Sequence, residues 1–164
     1  MKLFEHKVML LIIVSLLTIH ISSAVYDLKN EPRPLTVGLY TSSDYRAFRL
    51  TDAVAAKLNT DEGLDVSYIS GIGQADYDEW LAERFITGNE PDVIFVPPAD
   101  FAHYAQMGAL MNLDAQDFSR VRRYGDDVYG IECENFVVSV SERSSRKGEA
   151  TIFLHELEAI VAAK

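Results

Sequence analysis

The run Gly88-Asn89-Glu90-Pro91-Asp92-Val93-Ile94-Phe95-Val96-Pro97-Pro98 constrains this chain more than any other segment. A turn of Gly, Asn and Pro opens into four consecutive apolar residues, and two prolines end them. This is the pattern of a short strand covered on both faces. Strands of that kind lie inside parallel sheets. Open α/β sheets bind ligands just beyond the carboxyl ends of their strands, so the loop Pro97 to Asp100 is the first place to look for a site.

The flanking segments extend this strand into a β-α-β-α-β-α order. Leu35, Val37 and Leu39 alternate with Thr36, Gly38 and Tyr40 as a first strand, and Thr41-Ser42-Ser43-Asp44 then offers helix-capping side chains. The helix that follows carries Ala47, Leu50, Val54 and Leu58 in one stripe. Leu64, Val66 and Tyr68 form a second strand. After Gly71-Ile72-Gly73, a second helix aligns Tyr77, Trp80, Leu81 and Phe85, a spacing that favours core packing over a sugar-stacking platform. The Gly-Ile-Gly turn lacks the third glycine of a dinucleotide loop and reads as a plain turn. A shorter helix with Phe101, Tyr104 and Ala105 ends at Gly108.

Leu110 to Tyr129, which holds Arg120, Arg122 and Arg123, reads as an irregular surface connection. Phe136 to Val140 is one more strand, and Ser144-Ser145 caps a last helix bearing Ala150, Phe153, Leu154, Leu157, Ile160 and Val161. The order predicts an α/β fold: a mostly parallel sheet beginning 2-1-3, with right-handed crossovers and helices on both faces.

A length of 164 residues with 48% hydrophobic content accommodates one such domain and not a second. Residues 1–24 read as a secretory signal: Lys2 and Lys7 precede an apolar run from Val8 to about Ile19, and Ser22-Ser23-Ala24 supplies small residues for cleavage. An uncleaved anchor is the alternative. Residues 25–34 form a polar linker, and residues 35–164 hold the folded domain. Both readings place the protein outside the cytoplasm, in the periplasm or on the outer face of the envelope. The net charge of −10 argues against nucleic acid and anionic lipid as partners. The lone Cys133 has no partner for an internal disulfide.

In a 2-1-3 sheet the loops after strands one and three flank the switch point. They bring Tyr40, Ser42, Ser43, Asp44 and Asp100 to one rim, an inventory suited to hydrogen-bonding a small polar solute such as a sugar. Helix capping accounts for Ser43, Asp44 and Asp100 equally well. Glu132, Glu134 and Asn135 can reach the same rim or form a solvated turn. Catalysis, cofactors and metals find no support: His103 and His155 lack ligand spacing, and nucleophile-elbow and phosphate-loop patterns are absent.

Four segments, in order and spacing, resemble the first lobe of bacterial extracellular solute-binding proteins of the carbohydrate ABC-transporter type. They are Leu35-Thr36-Val37-Gly38-Leu39-Tyr40, Tyr77-Asp78-Glu79-Trp80-Leu81, Gly88-Asn89-Glu90-Pro91-Asp92-Val93 and Gly108-Ala109-Leu110-Met111-Asn112-Leu113. Phe136 to Ser141, with Ser144 to Leu154, resembles the later segment in which that family returns to its first lobe and adds a strand and a helix. The resemblance implies a single three-layer lobe of the periplasmic-binding-protein type II kind, closed on itself, with the partner lobe omitted. It also implies a non-catalytic role beside an ABC importer. The membrane subunits of that importer, or a sensor ectodomain on which the lobe docks without solute, are the implied protein partners.

Overall fold

The structure is a computed structural model that describes residues 33–41, 45–69, 72–133 and 135–163. The chain divides into two compact units, Met1–Arg33 and Pro34–Lys164, and every element below belongs to the second. The expected signal segment and nearly all of the linker lie outside the described residues.

Six strands form one open sheet in the order β2-β1-β3-β6-β5-β4. The first three, β1 (Leu35–Gly38), β2 (Val66–Ile69) and β3 (Val93–Val96), are mutually parallel. Their order begins 2-1-3 as expected. Two helices make the crossovers, α1 (Arg46–Glu62) from β1 to β2 and α2 (Gln74–Thr87) from β2 to β3. These crossovers run in opposite directions along the sheet, so right-handedness puts the helices on opposite faces. The short α3 (Phe101–Gln106) joins the α2 face, where the Tyr104 hydroxyl donates to the Asp78 carboxylate.

Beyond β3 the sheet turns antiparallel. β6 (Phe136–Val140) lies beside β3 with Val93 opposite Val140 and Val96 opposite Val137, as the fold-back of this segment requires. All nine residues of β3 and β6 are buried. Each large apolar side chain among them contributes about 1.5–3 kcal/mol. The last helix, α4 (Lys147–Ala162), packs against α1 and forms an ion pair with it between Glu156 and Lys57.

The stretch read as an irregular connection holds two strands instead. β4 (Val121–Tyr124) and β5 (Asp127–Cys133) make a hairpin across Gly125-Asp126, with Gly125 at φ 62°. The positive φ is the reason glycine stands there. The sheet is therefore mixed, with parallel pairing confined to β1, β2 and β3. Gly130 of β5 permits close approach to β6: a Cβ there would meet Ser139 Oγ at 2.6 Å and the Val138 carbonyl at 2.8 Å.

One buried carboxylate ties the amino ends of the strands together. Asp92, 1% exposed, accepts the Thr36 amide at 2.9 Å, the Thr36 hydroxyl at 2.7 Å and the Ser144 hydroxyl at 2.7 Å. Ser144 also accepts the Arg146 amide at 3.0 Å, and so places the start of α4 by a local turn instead of an N-cap bond. This knot explains why an aspartate follows the proline that introduces β3.

Candidate ligand-binding rim

Four connections meet at the carboxyl end of the parallel strands. The loops after β1 and β2 are zipped together, with the Thr41 amide donating to Ile72 O at 2.8 Å and Thr41 bridging Gly73. After β3, the Asp100 amide turns back to Pro97 O at 3.0 Å, and Asp100 O accepts the His103 amide at 3.1 Å to begin α3. The β5–β6 turn reaches the same end because β6 runs antiparallel to β3. There the Tyr40 hydroxyl donates to Asn135 O at 3.2 Å.

Among the expected site residues, Tyr40 and Asp100 are described and both belong to this rim. Ser42, Ser43 and Asp44 lie outside the described residues, as does Glu134. Tyr40 is 3% exposed, its ring 5.2 Å from that of Tyr77, so it serves as a wall of the rim and not as an open stacking surface. Asp100 is half-buried at the head of α3, and its side chain makes no capping hydrogen bond. Capping therefore does not occupy this carboxylate.

Tyr77 is a core residue and Trp80 packs against the core half-buried, so the pair favours packing as its spacing predicts. The two rings stack at 5.5 Å, and the Tyr77 hydroxyl donates to Gly38 O at 2.9 Å. Burial pushes the Tyr77 phenol well above its ordinary range, which keeps it a neutral donor.

A cavity of about 520 Å³ opens at this end of the sheet, on the side covered by α1 and α4. Arg46, Arg49 and Arg120 line it together with Leu50, Cys133, Phe136 and Val161. Arg46 and Arg49 come from the first turn of α1, and Arg120 immediately precedes β4. Glu158 of α4 fixes that last approach, one carboxylate oxygen accepting the Ser119 amide at 2.9 Å, the Ser119 hydroxyl at 3.0 Å and the Arg120 amide at 2.8 Å. Burial pushes the Cys133 thiol up to about 11, so the sulfur is a neutral part of the wall. No local sequence pattern joins Arg120 to Arg46 and Arg49. Their spacing of three residues in a first helical turn was the one local signal available.

The described residues contain no cluster of His, Cys, Asp or Glu able to hold a metal ion. None of the described helices is long and apolar enough to cross a membrane.

No family model matches the chain, and no curated protein matches it. Solved structures do. An extracellular solute-binding protein family 1 member from Alicyclobacillus acidocaldarius superposes with a TM-score of 0.50 at 24% identity, covering 62% of this chain and 28% of its own. The galacto-N-biose/lacto-N-biose I-binding protein of an ABC transporter from Bifidobacterium longum, in complex with lacto-N-biose, gives 0.49 at 20% identity, covering 60% and 27%. An ABC substrate-binding protein from Listeria monocytogenes in complex with cycloalternan gives 0.49 at 18% identity, covering 61% and 28%. The chain thus spans less than a third of the length of these proteins. At these identities the likeness concerns the fold, and that fold is a lobe of an extracellular solute-binding protein.

Proposed function

We propose that this protein is an exported, non-catalytic solute-binding lobe that holds a sugar or related small polar solute at the rim and acts as a component of, or accessory to, an ABC importer. The observation that carries the reading is the convergence of the β1, β2 and β3 loops with the β5–β6 turn on one edge of a solute-binding-protein fold. Asp100 supplies a half-buried carboxylate there, and Ser42, Ser43 and Asp44 are proposed to complete the polar lining.

A single lobe supplies about half the contacts of a two-lobed binder. If two lobes hold a solute at about 1 μM, or roughly −8 kcal/mol, one lobe retains about −4 kcal/mol and a Kd near ~1 mM. Titration of neutral oligosaccharides into the full-length chain, followed by amide chemical shifts, tests this. Shifts grouped on Thr41, Ile72, Gly73 and Asp100 with millimolar saturation are the expected result. Saturation with unmoved rim amides, or no binding at 20-fold above that range, overturns it.

A second reading is favoured by the placement of Tyr40. Its ring is packed on Tyr77 and its hydroxyl donates to Asn135, so Tyr40 itself offers no open face for a sugar to stack on. Under that reading the lobe docks on a transporter or sensor ectodomain without solute. Capture of importer subunits by the solute-free protein, unaffected by Asp100→Ala, is its expected signature.

A further inference from the structure

We infer that Tyr45 is a stacking platform for the carbon face of a pyranose ring, so that the solute of this lobe is a saccharide with such a face and not an open-chain polyol. The inference rests on the solute-binding reading above and gives that reading its aromatic contact.

Two observations single out Tyr45. Its backbone is left-handed, with φ 51° and ψ 20°, and among the described residues it is the one non-glycine residue with a positive φ. The other positive-φ positions are Gly63, Gly88, Gly108 and Gly125. A bulky side chain in this region brings its Cβ against the following carbonyl, a cost that glycine does not meet. Burial of the ring would offset that cost, yet Tyr45 is 59% exposed. Among the described residues, no ring stacks on it and its hydroxyl bonds to none. Backbone strain that the fold does not offset is characteristic of positions that serve a ligand.

The position suits that role. Tyr45 immediately precedes α1, its carbonyl accepting the Arg49 amide at 3.0 Å, and it follows by four residues the Thr41 that zips the β1 and β2 loops. Four residues of chain span at most about 14 Å, so Tyr45 belongs to the carboxyl end of the parallel strands. The neighbouring aromatics are already engaged. Tyr40 packs on Tyr77, Tyr77 on Trp80, and Phe48, in the first turn of α1, meets Tyr68 of β2 edge-on at 5.2 Å. Tyr45 is the open ring of that group. A phenol ring has a negative face that attracts the C–H groups lining one side of a gluco-configured pyranose, and joining the two faces removes apolar area from water. An open-chain polyol brings the same hydroxyls without a flat carbon face.

The test is titration of the full-length chain with cellotriose, maltotriose and sorbitol, followed by amide shifts and by the proton shifts of the sugars. The tighter trisaccharide is expected to saturate in the millimolar range, with an amide shift at Tyr45 and upfield ring-current shifts of its C–H protons, and sorbitol to bind at least about fivefold more weakly. Tyr45→Phe keeps the ring and is expected to stay within about threefold of the parent, whereas Tyr45→Ala and Tyr45→Gly each lose about tenfold. Tyr45→Gly also frees the left-handed backbone of its Cβ, and is expected to melt at or above the parent and above Tyr45→Ala. If both small variants bind as the parent does while Thr41, Ile72, Gly73 and Asp100 still shift, the inference fails and the solute-binding reading survives. If no saccharide moves the rim amides, that reading falls and the inference with it. Sorbitol matching the trisaccharides, or Tyr45→Phe losing as much as Tyr45→Gly, overturns the platform. A lower melting temperature in Tyr45→Gly makes the ring a support of the fold and overturns it as well.

Discussion

At the amino end of β3, Asp92 is buried, and its carboxylate accepts hydrogen bonds from the Thr36 amide, the Thr36 hydroxyl and the Ser144 hydroxyl that join β1, β3 and the approach to α4. At the carboxyl end of the same strand, the chain leaves through Pro97 and Pro98 to Asp100, whose side chain caps nothing. Seven residues separate a carboxylate spent on the fold from one left for other purposes. A sheet of this kind gathers its order at one end, and the connections at the other end are free to vary with the ligand. The comparison predicts that substitutions at the amino end change stability while those at the carboxyl end change binding.

The largest expected effect follows from Asp92→Ala. It removes the acceptor of the Thr36 amide, Thr36 hydroxyl and Ser144 hydroxyl together, leaving polar groups in a site from which water is excluded. A loss of about 3 kcal/mol in urea unfolding is expected, since each buried polar group left without a partner costs about 1–3 kcal/mol. The conservative Thr36→Val keeps the shape of the side chain and removes one hydroxyl, which donates to Asp92 Oδ2 and accepts the Asp92 amide at 3.1 Å. A smaller loss of about 1–2 kcal/mol is expected there. A loss below about 1 kcal/mol for Asp92→Ala would mean that the two ends of the strand do not differ in this way.

How far this contrast was legible in the sequence depends on the range of the interactions. The parallel half was readable because each strand and helix announces itself over a few residues, from the Leu35-Val37-Leu39 alternation to the Ala47-Leu50-Val54-Leu58 stripe, and all of those positions are buried. The hairpin of β4 and β5 was not read. An edge strand of sequence Val-Arg-Arg-Tyr carries charges of the sort that protect open edges, and it lacks an apolar pattern to display. The Gly125-Asp126 pair was nevertheless a hairpin signal in plain view.

The role of Asp92 was hidden for a different reason. An aspartate after Pro91 looks like a turn residue, and its partners Thr36 and Ser144 lie 56 and 52 residues away. The arginine cavity likewise draws its walls from α1, the approach to β4, the end of β5, the start of β6 and α4. No window of sequence contains it. The burial of Tyr40 depends on Tyr77 and Asn135, which only the folded sheet brings to it.

Tyr40→Phe sits between the two ends in its expected effect. It deletes the bond from the hydroxyl to Asn135 O and leaves the packing against Tyr77 intact. Asn135 is exposed, so water replaces the lost donor and the cost is held to about 0.5–1 kcal/mol in urea unfolding. A loss above about 2 kcal/mol would make the β5–β6 turn part of the rigid body of the fold and not of a variable rim.

Asp100→Ala carries the smallest expected change in stability and the sharpest test of the contrast. The Asp100 backbone supplies the turn, through its amide to Pro97 O and its carbonyl to the His103 amide, and alanine preserves both bonds. Unfolding free energy is therefore expected to stay within about 0.5 kcal/mol of the parent, the ordinary range for a substitution that removes no buried contact. Affinity for a neutral oligosaccharide is expected to fall about tenfold, the loss that goes with one charged hydrogen bond to a solute hydroxyl. If stability falls while affinity holds, the two carboxylates flanking β3 serve the same purpose, and the rim must look to the segment between Thr41 and Tyr45 for its ligand contacts.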